Sequence, residues 1–204
     1  MKIVTISREF GSGGRELAKR LADALGYDYY DKEIIKKIAA NQNLDSVYVE
    51  NVLESSTNVS FPLTFRNTFA MSSAYSAKTS LMLEERKVLE DIAKKGRNCV
   101  IVGRNADIIL QDYHPLNIFI YADMQVKLAR CVEYAPEHEQ LTEKELKQKM
   151  LKIDKARKET RRIVTEKEWG SKESYDLLIN TSRRDIKQMV PVVAAYVKQY
   201  FGSN

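Results

Sequence analysis

The first 25 residues, MKIVTISREFGSGGRELAKRLADAL, constrain this chain more than any other stretch. Ile3-Val4-Thr5-Ile6 is apolar and β-branched, which predicts a buried strand. The run breaks at Gly11-Ser12-Gly13-Gly14. Leu17, Ala18, Leu21, Ala22 and Leu25 then fall on one face of a helix. A strand, a glycine loop and a helix in that order predict an anion site. Glycines let the backbone approach a ligand closely, and a helix N-terminus favours negative charge. Arg8 and Arg15 add cations to the loop.

The loop departs from the phosphate-loop pattern GxxxxGK(S/T). Arg8 stands at the first glycine, Gly14 at the lysine and Arg15 at the hydroxyl residue. Two readings follow. Either Arg15 does the lysine's work with a forked guanidinium suited to phosphate, or the loop binds an anion without catalysing. A plain glycine turn with solvated arginines is the bland alternative.

Later segments repeat the alternation of strand and helix. Gly26 is a C-cap candidate. Tyr27–Asp31 reads as a short aromatic strand, with Asp31 either capping the next helix or meeting a substrate. From Leu44 to Ser80 hydroxyl residues, Asn and isolated aromatics (Phe61, Phe65, Phe69, Tyr75) dominate, and periodicity is poor from Ser55 to Phe65. Such a stretch suits a substrate-covering insert or a homodimer contact. A helix returns over Leu81–Lys95. Cys99–Val102 is a buried strand ending in Gly103-Arg104, at the edge where open α/β sheets bind ligands, and Asn105–Gln111 begins another helix. Leu116–Tyr121 and Tyr175–Asn180 are further strands. Thr142–Glu168 is one long charged helical pattern, with Thr142 capping and Glu145 three residues on. On that helix Asp154, Arg157 and Arg161 share a face. It reads either as a solvated surface or as an arginine-bearing lid, over about 136–170, that neutralises charge in phosphoryl transfer.

Alternating apolar strands and helices predict a single α/β domain over 1–204 with a mostly parallel sheet. Cys99 and Cys131 sit in apolar patterns, and with two histidines and no Cys/His cluster no metal site is expected. No apolar run suits a signal peptide or a membrane span, so the expected compartment is the cytoplasm. The net charge of +5 fits anionic small molecules. Glutamates interleave with the basic residues of Lys144–Arg162, which argues against nucleic acid.

The sequence resembles the cytidylate-kinase-like family of P-loop nucleoside monophosphate kinases. The resemblance rests on ISREFGSGGRELAKRLADALG at Ile6–Gly26, YYDKEII at Tyr29–Ile35, VIVGRNADIIL at Val100–Leu110, IFIYAD at Ile118–Asp123 and DKARKETRR at Asp154–Arg162, with KEWG and YDLLINTS after it. It implies a three-layer P-loop NTPase fold, with a five-stranded sheet, helices on both faces and a helical lid. It likens Gly11, Ser12, Gly13 and Gly14 to the phosphate-cradling loop, with Arg15 as its nearest cation; Arg8 and Glu16 complete the expected phosphate-binding set. Asp31 and Arg104 would hold the monophosphate substrate, and Arg15, Arg157 and Arg161 would be catalytic. ATP with Mg2+ would be the donor, and CMP or dCMP the acceptor. The family's lysine is replaced by Gly14, and its Asp-Gly-Arg-Asp after the central strand reads Val102-Gly103-Arg104-Asn105 here. These departures leave two alternatives: a non-catalytic nucleotide- or phosphate-binding module, or a kinase of another small phosphorylated metabolite.

Overall fold

The computed structural model describes residues 1–54, 65–134 and 141–202, without the side chains of 65–75. Strand β1 (Ile3–Arg8) is followed by α1 (Gly14–Leu25), β2 (Asp28–Tyr30), α2 (Lys32–Gln42), α3 (Ser46–Glu54) and α4 (Phe65–Lys94). Strand β3 (Cys99–Val102), α5 (Ala106–Ile109), β4 (Leu116–Tyr121), α6 (Met124–Glu133), α7 (Glu143–Val164), β5 (Leu177–Asn180) and α8 (Ile186–Gly202) complete the chain.

The five strands form one parallel sheet in the order β2-β3-β1-β4-β5. The expected "mostly parallel" sheet is wholly parallel. Strand β1 is central, and all six of its residues are buried. Its side chains alternate between two cores, as a strand's period of two requires. Val4 and Ile6 pack with Leu17 and Leu21 of α1 and Val190 and Val197 of α8. Ile3 faces the opposite layer, with Ile34 and Ile38 of α2, Leu53 of α3 and Leu89 of α4. These two cores make the three layers. Each fully buried Leu or Ile contributes about 1.5–3 kcal/mol. A third cluster, Leu128, Leu146 and Met150, joins α6 to α7.

Parallel strands all end at one edge. Arg8, Asp31, Gly103-Arg104, Ala122 and Thr181 therefore converge there from distant parts of the sequence.

Three expectations change in detail. Among the described residues the polar stretch after Leu44 is mostly helical, with α3 and a 30-residue α4 that runs on through Leu81 and ends at Lys94. The capping box at Thr142 is present, but α7 stops at Val164. The segment after Gly103 is a short α5 with a 3-10 turn over Gln111–Tyr113. Phe61, Pro136 and the first residues of the expected lid lie outside the described residues. Among the described residues no helix is long and apolar enough to cross a membrane.

Candidate functional site

The glycine loop is built by three constraints. Gly11 and Gly13 take φ of 76° and 77°, a region that favours glycine. A Cβ on Gly11 would lie 2.9 Å from Cys131 Sγ, and one on Gly13 would lie 2.8 Å from Ile186 Cδ1. The loop backbone therefore rests directly on α6 and α8. The buried Ser12 hydroxyl donates to Glu9 O at 2.8 Å. Ser12 O in turn accepts from Thr181 Oγ1 at 2.7 Å and Arg130 Nη1 at 3.0 Å. Arg130 also donates to Thr181 Oγ1 and, through Nη2, to Thr181 O, each at 2.8 Å. This fork ties α6, the end of β5 and the loop together. Glu9 is held below by Lys127 Nζ at 2.8 Å.

Asp31 follows β2 and is buried. It occupies the N-cap position of α2, but its side chain makes no capping hydrogen bond. The capping reading is thereby replaced: the carboxylate meets Arg15 Nε at 2.5 Å and Arg8 Nη2 at 4.0 Å. Burial and this carboxylate push the Tyr29 hydroxyl up to about 12.

Arg8 is buried at the end of β1. Burial first, then the neighbouring Arg157, pulls it down to about 9. Arg157 reaches across from α7, donating to Arg8 O at 3.2 Å and Asp154 Oδ1 at 3.1 Å. Asp154 Oδ1 accepts from Phe10 N–H at 2.8 Å. Burial lowers Arg157 and raises Asp154, and each partly offsets the other. Guanidinium groups crowded so closely are stabilised by an anion between them.

Arg104, at φ 61°, pairs with Glu54 at 3.3 Å and Glu85 at 3.8 Å. Burial pushes the Glu85 carboxyl up to about 7, against the pull of Arg104. Glu85 Oε1 has no hydrogen bond among the described residues.

Two cavities open onto these groups. A cleft of about 1110 Å³ is lined by Arg8–Gly11 and Gly13–Glu16 of the loop, with Asp31, Arg130, Lys149 and Arg157; the expected phosphate ligand Ser12 is buried beneath it. A recess of about 60 Å³ lies beside it, lined by Glu85, Gly103, Arg104 and Thr160. Arg8, Glu54 and Arg157 line both. The cleft is roomy enough for a nucleotide-sized ligand.

Most residues singled out in the sequence thus meet at one edge of the sheet. Glu16 lines the cleft while pairing with Arg20 at 2.8 Å. Arg161 departs from expectation. Its side chain is 1% exposed and pairs with Asp107 at 2.8 Å, while Nε donates to Lys167 O at 2.9 Å and the group lies over the Tyr175 ring. Four residues beyond Arg157 is about 40° further around and 6 Å further along the helix. That offset takes Arg161 out of the cleft and into the core, where it anchors α7 to α5.

Arg130, Thr181, Glu54 and Glu85 were not singled out by sequence reasoning. A signal existed for Glu85: it is a carboxylate on the apolar face made by Leu81, Val88, Leu89 and Ile92.

A magnesium ion finds few protein oxygens here. Ser12 turns its hydroxyl inward, Arg15 replaces the usual hydroxyl, and Asp31, Asp154 and Glu9 already hold cations. Among the described residues no group of three metal-ligating side chains is present. The described residues therefore offer no dedicated cage for Mg2+, and the other carboxylates on the cleft wall are those of Glu16, Glu33, Glu50 and Glu54. The loop and its arginines do fit a polyphosphate.

This sheet order, with a glycine loop between β1 and α1 and arginines at the carboxyl edge, defines a P-loop-kinase-like α/β protein. The chain belongs to the cytidylate kinase-like family, whose model matches residues 3–183. Among solved structures it is similar to an uncharacterized protein from Eubacterium ventriosum, at 26% identity and TM-score 0.70, covering 97% of this chain and 99% of that one. A shikimate kinase from Bacteroides thetaiotaomicron shares the fold at 14% identity and TM-score 0.59, over 97% and 98% of the chains. A sugar kinase from Janibacter sp. HTCC2649 does so at 11% identity and TM-score 0.55, over 97% and 95%. No curated protein matches the sequence.

Proposed function

We propose that this chain transfers the terminal phosphoryl group of ATP to a nucleoside monophosphate, with CMP or dCMP as acceptor. The observation that carries the reading is the junction of the two cavities at Arg8 and Arg157. The glycine loop receives the donor phosphates in the cleft. Arg104 stands on the acceptor side, at the recess, while Asp31 holds Arg15 and Arg8 on the cleft wall. Arg157 sits between them and neutralises charge on the group in flight. Catalysis on this plan is positioning and electrostatics, with no covalent enzyme intermediate. Mg2+ would arrive on the nucleotide and would supply further neutralisation of the phosphates; the residues here orient the phosphates and exclude water.

The sparse set of oxygens for magnesium favours a second reading, a module that binds a nucleotide or phosphorylated metabolite without turning it over. ADP formation from ATP and Mg2+ across CMP, dCMP, UMP, AMP and GMP separates the two. Ligand-induced stabilisation without ADP supports the module.

A further inference from the structure

Arg8 and Gly14 exchange the residue types of the phosphate-loop pattern. GxxxxGK(S/T) has glycine where this chain has Arg8, and lysine where it has Gly14. The geometry links the two changes. A Cβ on Gly14 would lie 2.6 Å from Arg8 Cβ and 3.0 Å from Arg8 Cγ. That overlap is with the root of the side chain, fixed to the central strand, so rotation at its tip brings no relief. Position 14 has room for a side chain only when position 8 has none.

The other end of Arg8 has the same relation to Gly103. A Cβ there would overlap Arg8 Nη1. Gly103 also takes a φ of 72°. The guanidinium is thus seated on the bare backbone at the end of β3. It faces both cavities there, with Asp31 at 4.0 Å as its ion-pair partner among the described residues. Arg15, by contrast, has a half-exposed side chain engaged by Asp31 on the cleft wall.

We propose that Arg8 supplies from β1 the fixed phosphate-binding charge that the pattern's lysine supplies from α1, with Gly14 and Gly103 as the two glycines that make room for it. The cation has been transposed across the loop. Its fork can bridge oxygens of two phosphoryl groups, which a lysine's point charge does not do as specifically. This inference rests on the phosphoryl-transfer reading for its role in turnover, but not for its role in anion binding.

The test uses thermal melting and calorimetric titration with pyrophosphate, neither of which needs turnover. Arg8→Gly is expected to weaken pyrophosphate binding about 10- to 100-fold, the loss of a charge-assisted contact. Gly14→Lys alone is expected to lower the melting temperature. The double variant Arg8→Gly/Gly14→Lys, which rebuilds the common pattern, is expected to recover both properties. Gly14→Ala gives a gentler check: it should lower the melting temperature with Arg8 present and cost little in the Arg8→Gly background. Pyrophosphate binding unchanged by Arg8→Gly overturns the proposal. So does an equal cost of Gly14→Ala in both backgrounds. Arg8-dependent pyrophosphate binding in a protein that forms no ADP would instead overturn the kinase reading and leave this one standing.

Discussion

Arg15 Nε lies 2.5 Å from Asp31 Oδ2, and the same carboxylate stands 4.0 Å from Arg8. Asp31 therefore serves as counter-charge to two loop arginines at once. The two halves differ in value. The Arg15 side chain is 51% exposed and that of Arg8 is 9% exposed. Solvent screens the first pair to under about 1 kcal/mol. The second leaves a buried cation uncompensated when it is removed. Asp31→Asn is thus expected to lower stability by about 3 kcal/mol. Added pyrophosphate should raise the melting temperature of the variant more than that of the wild type, because the anion replaces the missing charge. A variant that melts like the wild type would contradict this.

Arg157 and Arg161 lie one turn apart on α7 and are expected to fail differently. Arg157→Ala should cut turnover by about 10³–10⁵, the range for a cation acting on a transferring phosphoryl group. Arg161→Ala strands the buried Asp107 carboxylate and should cost about 3–5 kcal/mol of stability. Melting curves and initial rates on both variants check the assignment. Full turnover in Arg157→Ala would remove it from the site.

Among the described residues Arg130 hydrogen-bonds the loop through Ser12 O and the end of β5 through Thr181. It is a positioning residue for the loop backbone. Arg130→Ala is expected to raise the KM for ATP about tenfold with a smaller effect on kcat, since about 1.4 kcal/mol of preorganisation corresponds to that factor. Arg130→Lys keeps the charge but not the fork, and should not rescue. An unaltered KM in both variants would show the clamp to be dispensable.

Glu85 gives a pH dependence of known sign. Burial raises its carboxyl from the ordinary 4.5 to about 7. The folded protein then holds this proton more tightly than the unfolded chain. The stabilisation is full below about 4.5 and is lost as pH rises through about 7. The loss amounts to about 3 kcal/mol. Glu85→Gln should flatten this part of the stability curve between pH 5 and 7 (about the range over which the proton is shed). An identical slope in wild type and variant would place the titration elsewhere.

The strands and the main helices were legible because their apolar spacing has one cause, burial on a defined face. Val4 and Ile6 alternate with Ile3 and Thr5, and the two cores follow from that alternation. The glycine loop was legible from its position between β1 and α1. Ion pairing was not. Asp31 has the sequence position of a helix cap, and only the fold brings Arg15 and Arg8 close enough to take its carboxylate. Arg161 shares a nominal face with Arg157, but Asp107 lies 54 residues away and draws it into the core. Arg130 and Thr181 are 51 residues apart and meet because β5 ends beside α6. The helix over Leu81–Lys94 was legible from its apolar stripe, but the burial of Glu84 and Glu85 against polar partners was not, because those partners come from other elements.

The most direct measurement is ADP formation from ATP and Mg2+ with each of the five nucleoside monophosphates, run on the wild type beside Arg157→Ala and Arg8→Gly. The expected result is turnover with CMP or dCMP that collapses in both variants. Turnover with no acceptor, by a protein that still binds pyrophosphate, would contradict the kinase account and leave a binding module.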